Sequence, residues 1–301
     1  MLARLLRILI VVQVLCGAGL GYLLARWAGQ PEWCIPALAV LFPLATMLLV
    51  DLVSAWRARS GESVRLWWRA LAGEFMAGLR IFLLRQPWTV HPPRVLPATG
   101  TQARVPVVLV HGYLCNHRVW DDVATTLRAH GHTVLAVNLE PLFTSIDAYA
   151  PILEAAVATL CEQTGARQVA LVGHSMGGLA IRAWMRAHGS ERVARVLTLG
   201  TPHVGTRIEP RTRTPNGQQM QWQSPWLAEL AAIESDTHRS LFRIALTPQD
   251  NIVFPQRAQV LSGIEPVVFH GIGHLQMCLD AAVIRWVADQ LSEFTLAAPA
   301  A

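Results

Sequence analysis

Residues 173–178 read Gly-His-Ser-Met-Gly-Gly, between the apolar run Gln168-Val169-Ala170-Leu171-Val172 and the helix-forming stretch Leu179-Ala180-Ile181-Arg182-Ala183-Trp184. Strand, sharp turn and helix in that order put Ser175 at an apex. A serine hydroxyl is a poor nucleophile unless the chain exposes it beside a base, at the mouth of a helix whose first amides can receive an oxyanion. Gly173 and Gly177 form the elbow, because a side chain two residues to either side of the serine would collide as strand and helix close on each other. The pattern alone arises by chance in roughly one chain in ten of this length. The rest of the chain must therefore supply a base, an acid and oxyanion donors.

Two histidines compete for the base within Phe269-His270-Gly271-Ile272-Gly273-His274-Leu275. His274 lies on a glycine-flexed loop before the last helix, free to reach Ser175, whereas His270 is still on a strand and reads as a packed side chain. The acid belongs after a later strand, where a carboxylate is held in fixed orientation. Asp250, in Leu246-Thr247-Pro248-Gln249-Asp250-Asn251, meets that condition; Asp236, in a polar connecting segment, is the weaker alternative. The chain order of the three candidates is then Ser175, Asp250, His274. Near the start of the domain, Val105–Val110 runs straight into His111-Gly112-Tyr113-Leu114. The Tyr113 and Met176 N–H groups are the candidate oxyanion donors, and His111 reads as a structural residue orienting the loop.

These residues need a scaffold, and the chain has one. Strand-like segments (105–110, 133–139, 168–172, 193–199, 241–247, 266–270) alternate with helical patterns (119–130, 146–163, 175–188, 275–294), which predicts an α/β fold, a mostly parallel sheet with helices on both faces. An insertion over about residues 207–240, rich in proline and tryptophan, precedes the Asp250 strand. Trp222, Trp226 and Leu227, with Leu230, are candidates for an acyl pocket or lid, with ordinary core packing the equal alternative. Arg207, Arg211 and Arg213 in the same segment read as a solvated charge cluster in preference to a site for anionic headgroups.

Together, Pro106–Gly112, the Gly173–Gly178 elbow, Gly200-Thr201-Pro202-His203-Val204-Gly205-Thr206, Gln219-Met220 with Ser224-Pro225-Trp226-Leu227, Asp250-Asn251-Ile252-Val253 and Gly271–Leu275 resemble the α/β-hydrolase superfamily. Within it they resemble bacterial triacylglycerol-lipase-like esterases, over about residues 104–292. The resemblance implies carboxylic-ester hydrolysis through an acyl-serine, on a lipid or other acyl-ester substrate, with no cofactor and no metal. An acyltransferase using the same triad is the alternative; a non-catalytic membrane scaffold would have no need of an intact Ser175, Asp250 and His274.

The first hundred residues are of another kind. They hold ten arginines against four acids, while the remaining two hundred and one hold fifteen against sixteen, so the basic balance belongs to the N-terminal part and gives no support for nucleic-acid binding. The five cysteines have no metal-ligand spacing. Ile8–Ala25, flanked by Arg7 and Arg26, and an apolar stretch from Trp33 to Trp56 are each long enough to cross a bilayer. We expect a two-span hairpin over residues 1–59 in preference to a cleaved signal, since no small-residue cleavage site follows the first stretch. Arg4 and Arg7 before the first span and Arg57, Arg59, Arg65 and Arg69 after the second place both ends, and all that follows, on the cytoplasmic side. With the bacterial resemblance, this locates the protein in the inner membrane, whereas such lipases are commonly secreted. Residues 60–103 are expected to be an amphipathic interfacial helix and a proline-rich linker. Val64, Trp68, Leu71, Phe75, Leu79 and Phe82 fall within about 80° on a helical wheel, suited to the membrane surface in preference to the alternative, a helix packed on the soluble domain. The catalytic domain then occupies 104–298. No protein partner is indicated.

Overall fold

The protein is seen as a computed structural model that describes residues 1–89, 91–207 and 213–295. Two long helices, α1 (Leu2–Trp27) and α2 (Cys34–Ala58), pack as a hairpin. Small residues let them approach: a Cβ on Gly17 would lie 2.2 Å from the Leu38 carbonyl oxygen, and one on Gly21 2.6 Å from Ile35 Cα. Gln13 donates to Thr46 across the pair at 3.1 Å and Cys34 Sγ to the Gly21 carbonyl at 3.1 Å, polar links between the two helices. Both helices are long and apolar enough to cross a membrane, and only 11% and 6% of their most apolar windows are buried, where a core helix would be mostly covered.

Helix α3 (Val64–Gly78) continues as a π-helical turn over Leu79–Arg85. The sequence pattern drew attention to the stripe beginning Val64, Trp68; the structure leaves those two exposed. It buries the neighbouring face of Trp67, Ala70, Glu74, Ala77 and Ile81 against the domain.

Among the described residues the sheet has seven strands: β1 (Val95–Leu96), β2 (Arg104–Val110), β3 (His132–Ala136), β4 (Val169–His174), β5 (Val193–Leu199), β6 (Phe242–Leu246) and β7 (Val267–Val268). Their spatial order is β1-β3-β2-β4-β5-β6-β7. Only the short edge strand β1 runs antiparallel. The central strands are apolar throughout because both faces are covered. Val108 and Val110 point into the layer formed with α5 (Ala150–Thr164) and α6 (Met176–His188). Val107 and Leu109 point into that formed with α4 (Asp121–Ala129) and the last helix, α10 (Ala281–Leu291). The helix expected over 275–294 breaks into a 3-10 turn, Leu275–Cys278, and α10, because Asp280 accepts from the Ala282 N–H at 2.8 Å and caps a new helix. The insertion holds three short helices, α7 (Pro215–Gln219), α8 (Pro225–Ala232) and α9 (Asp236–Ser240). Arg182 on α6, fully buried, fastens the insertion through Glu234 at 2.6 Å.

Candidate active site

Strand β4 ends at His174 and α6 starts at Met176, so the chain must reverse within one residue. Ser175 does so at φ 54°, ψ −127°, a conformation that costs an L-residue about 1–3 kcal/mol and is held only where its surroundings over-determine it. Its N–H donates to the Leu199 carbonyl at 2.9 Å and its own carbonyl accepts from Gly178 N at 3.1 Å. The elbow glycines answer to sterics: a Cβ on Gly173 would sit 2.6 Å from Gly178 N, and one on Gly177 2.1 Å from the Val110 carbonyl oxygen.

The ends of β4, β5, β6 and β7 converge at one edge of the sheet, the place where open parallel sheets present their sites. Asp250 and His274 meet there. Their Oδ2 and Nδ1 are 2.7 Å apart and both side chains are buried. The other carboxylate oxygen accepts from the Ile252 and Val253 N–H groups at 2.9 and 2.7 Å, which fixes its plane. The His274 loop is tied back to the end of β6: Thr247 Oγ1 donates to the Ile272 carbonyl at 2.7 Å, and Gln249 Oε1 accepts from Gly271 N at 2.6 Å. Gly200, bonded in register beside the elbow, leaves room for the pair; a Cβ there would be 3.2 Å from both Asp250 Oδ2 and His274 Nδ1. No hydrogen bond joins Ser175 to His274 among the described residues. Burial disfavours the imidazolium of His274, yet the Asp250 carboxylate, with Glu74 adding to it, more than offsets this and holds its pKa above the ordinary value.

The Gly112 loop closes over the serine, where a Cβ on Gly112 would be 2.8 Å from Ser175 Cβ. Tyr113 follows directly, and Met176 opens α6, whose first amides have no intrahelical acceptors. His111 is engaged elsewhere: its Nδ1–H donates to the Gly112 carbonyl at 2.8 Å and its Nε2 accepts from Leu139 N at 3.0 Å. Burial pushes its pKa down to about 4, so it is neutral and orients the loop. His270, expected to be packed, is exposed just past β7, and the Asp236 carboxylate lies open to solvent on α9, bonded to Arg239.

A cavity of about 550 Å³ opens over Ser175. The domain contributes Tyr113, Pro202, Met220 and Val253 to its wall, and α2 contributes Leu49, Val50 and Val53. Trp222, Trp226 and Leu227 do not line it. Leu227 is buried in the core, Trp226 bonds Asp147 through its indole N–H at 2.9 Å, and the Arg207 guanidinium sits over the Trp222 ring. The insertion reaches the cavity through Arg207, Gly217 and Met220 instead. Arg213 is exposed, and Arg211 lies outside the described residues.

Three groups that were not among the sequence candidates also pack into the site. His174, inside the elbow itself, is buried with its ring 4.6 Å from that of His274, and its Nε2–H donates to the His274 carbonyl at 3.0 Å; burial drives its pKa well down, keeping it neutral. Glu74 of α3 accepts from the Leu275 and Gln276 N–H groups at 2.9 and 3.0 Å. Burial pushes its pKa up to about 7, although His274 and those two amides pull the other way. Asn251 links His274 to α2: its Oδ1 accepts from His274 N at 3.3 Å and its Nδ2 donates to Ser54 Oγ at 3.0 Å.

A mostly parallel sheet with a strained serine elbow after β4, and Asp250 and His274 paired after later strands, is the architecture of the α/β-hydrolase fold. Residues 105–231 match the family described as alpha/beta hydrolase fold. Within that class the likeness is to lipases. A triacylglycerol lipase of Burkholderia plantarii is 36% identical over 126 residues, covering 39% of this chain and 35% of the relative. Another from Pseudarthrobacter phenanthrenivorans is 37% identical over 119 residues, 36% of this chain and 37% of the relative. The chain thus spans little more than a third of the length of these curated relatives. Among solved structures, the mature Bacillus licheniformis lipase BlEst2 superposes with a TM-score of 0.57 at 16% identity, over 69% of this chain and 100% of that one. Aspergillus fumigatus lipase B does so at 0.56 and 16%, over 68% and 57%. The chain thus has the α/β-hydrolase fold, and over little more than a third of its length its sequence is similar to triacylglycerol lipases.

Proposed function

We propose that the protein is a membrane-anchored serine hydrolase that cleaves carboxylic esters. The reading is carried by one observation, the buried Asp250–His274 pair at 2.7 Å beside a serine in the strained elbow. His274 Nε2 takes the Ser175 proton as Oγ attacks the ester carbonyl, a hydrogen bond that tightens as substrate binds. Asp250 keeps the imidazole in the tautomer with the proton on Nδ1 and stabilises the imidazolium that forms. The Tyr113 and Met176 N–H groups receive the oxyanion. The leaving alcohol takes the proton from His274, and water, deprotonated by the same histidine, attacks the acyl-serine to release the carboxylic acid and restore Ser175.

In this reading α1 and α2 cross a bacterial inner membrane, with the catalytic domain on the cytoplasmic face. The low burial of both helices and the arginines at their domain-side ends support it. The exposed Val64 and Trp68 of α3 face the lipid headgroups, while its neighbouring, buried face holds the His274 loop through Glu74. Peptide mapping of the full-length protein after treatment with a fluorophosphonate tests the site. Stoichiometric modification of Ser175 is expected; a folded protein left unmodified there would refute the reading.

A further inference from the structure

The cavity over Ser175 is not closed by the hydrolase domain alone. We propose that α2 is a wall of the acyl-binding site, so that the substrate is a long-chain acyl ester drawn sideways from the bilayer and Leu49, Val50 and Val53 decide which chains fit. This rests on Ser175 being the nucleophile. At about 550 Å³ the cavity lies within the range of small-molecule sites, about 300–1,000 Å³, and it runs from the serine to a helix long and apolar enough to span a membrane. Leu49, Val50 and Val53 line it yet are 60%, 63% and 47% exposed, so the same face looks both into the cavity and outward. In a bilayer that outward side is hydrocarbon. A chain passing from lipid to Ser175 along it exposes no methylene to water, a step that would cost about 0.8 kcal/mol for each CH₂.

The wall is also fixed in position relative to the chemistry. Gln256 Nε2 donates both to the Ala58 carbonyl of α2 at 2.9 Å and to the Asp250 carbonyl at 2.8 Å. Asn251 makes the corresponding bridge from Ser54 to the His274 N–H. A helix joined to both acid and base loops is a wall of defined position, and the tryptophans of the insertion, which lie outside the cavity, leave that role to it.

The test is the acyl-chain profile of the full-length protein in phosphatidylcholine nanodiscs. kcat/KM on hexadecanoyl and butanoyl esters is expressed per serine titrated by a fluorophosphonate. Val53→Trp and Val50→Trp fill the cavity and are expected to lower the hexadecanoyl-to-butanoyl ratio about tenfold or more, while Val53→Ala raises it. Val40→Trp, on α2 outside the cavity, keeps the wild-type ratio. If a tryptophan variant does not fold, the alanine variant decides alone. A ratio that stays within about twofold of wild type in the cavity variants, with the serine still titrating, overturns the proposal. A wild-type protein with no titratable serine instead overturns the catalytic reading beneath it.

Discussion

The sheet side and the helix side of the site are held by different means. On the sheet side, backbone does the work: Ser175 is fixed by its bond to Leu199, by the glycines around it and by the register of β4 against β5, all local to the strand ends. On the helix side, side chains arrive from far along the chain. Glu74 caps the His274 loop from 201 residues away, and Ser54 meets Asn251 across 197. Ser175 is thus positioned by the fold, whereas His274 and Asp250 depend in part on α2 and α3. Damage to the first region should abolish chemistry, and damage to the second should detune it.

His274→Ala is expected to remove about four orders of magnitude from kcat on a short acyl ester, since base and acid steps both pass through it. Asp250→Asn should lose about three to four orders with little change in KM, because the geometry survives and the tautomer does not. A variant of either that retains more than a tenth of wild-type turnover would detach the pair from the chemistry.

Glu74→Ala probes the helix side. It leaves the Leu275 and Gln276 amides buried without acceptors, an expected loss of about 2–4 kcal/mol in unfolding measurements, with kcat/KM lowered about tenfold. Glu74→Gln separates charge from packing. Three titratable groups face His274: Asp250, Glu74 and the neutral His174. Activity needs neutral His274, whose pKa is raised, so kcat/KM climbs as pH rises through that value. Removing the Glu74 charge lets His274 lose its proton more readily, and the acid limb should move to lower pH. A limb that stays in place, or moves up, would show that Glu74 acts through packing alone.

The elbow was legible because its requirements are local: G-x-S-x-G between an apolar run and a helical stretch leaves one conformation. The meeting of Asp250 with His274 was legible because strand ends are countable in the sequence. Trp222, Trp226 and Leu227 were candidates for the acyl pocket because the insertion is aromatic, but composition does not say which face looks inward, and the cavity took Arg207, Gly217, Met220 and α2 instead. The hairpin's apolar runs matched α1 and α2 closely, while their docking did not show, since Ser54 and Gln256 carry no signature of a partner some two hundred residues away. Glu74 did leave a trace: it is the lone acid within Val64–Gly78, where the other charges are arginines.

All of the proposed chemistry depends on Ser175 in its strained elbow. Steady-state hydrolysis of a butanoyl ester by full-length Ser175→Ala, with its circular dichroism and melting temperature matched to wild type, tests it directly. The account predicts turnover lower by about four orders of magnitude or more. Near-wild-type turnover in that folded variant would contradict it.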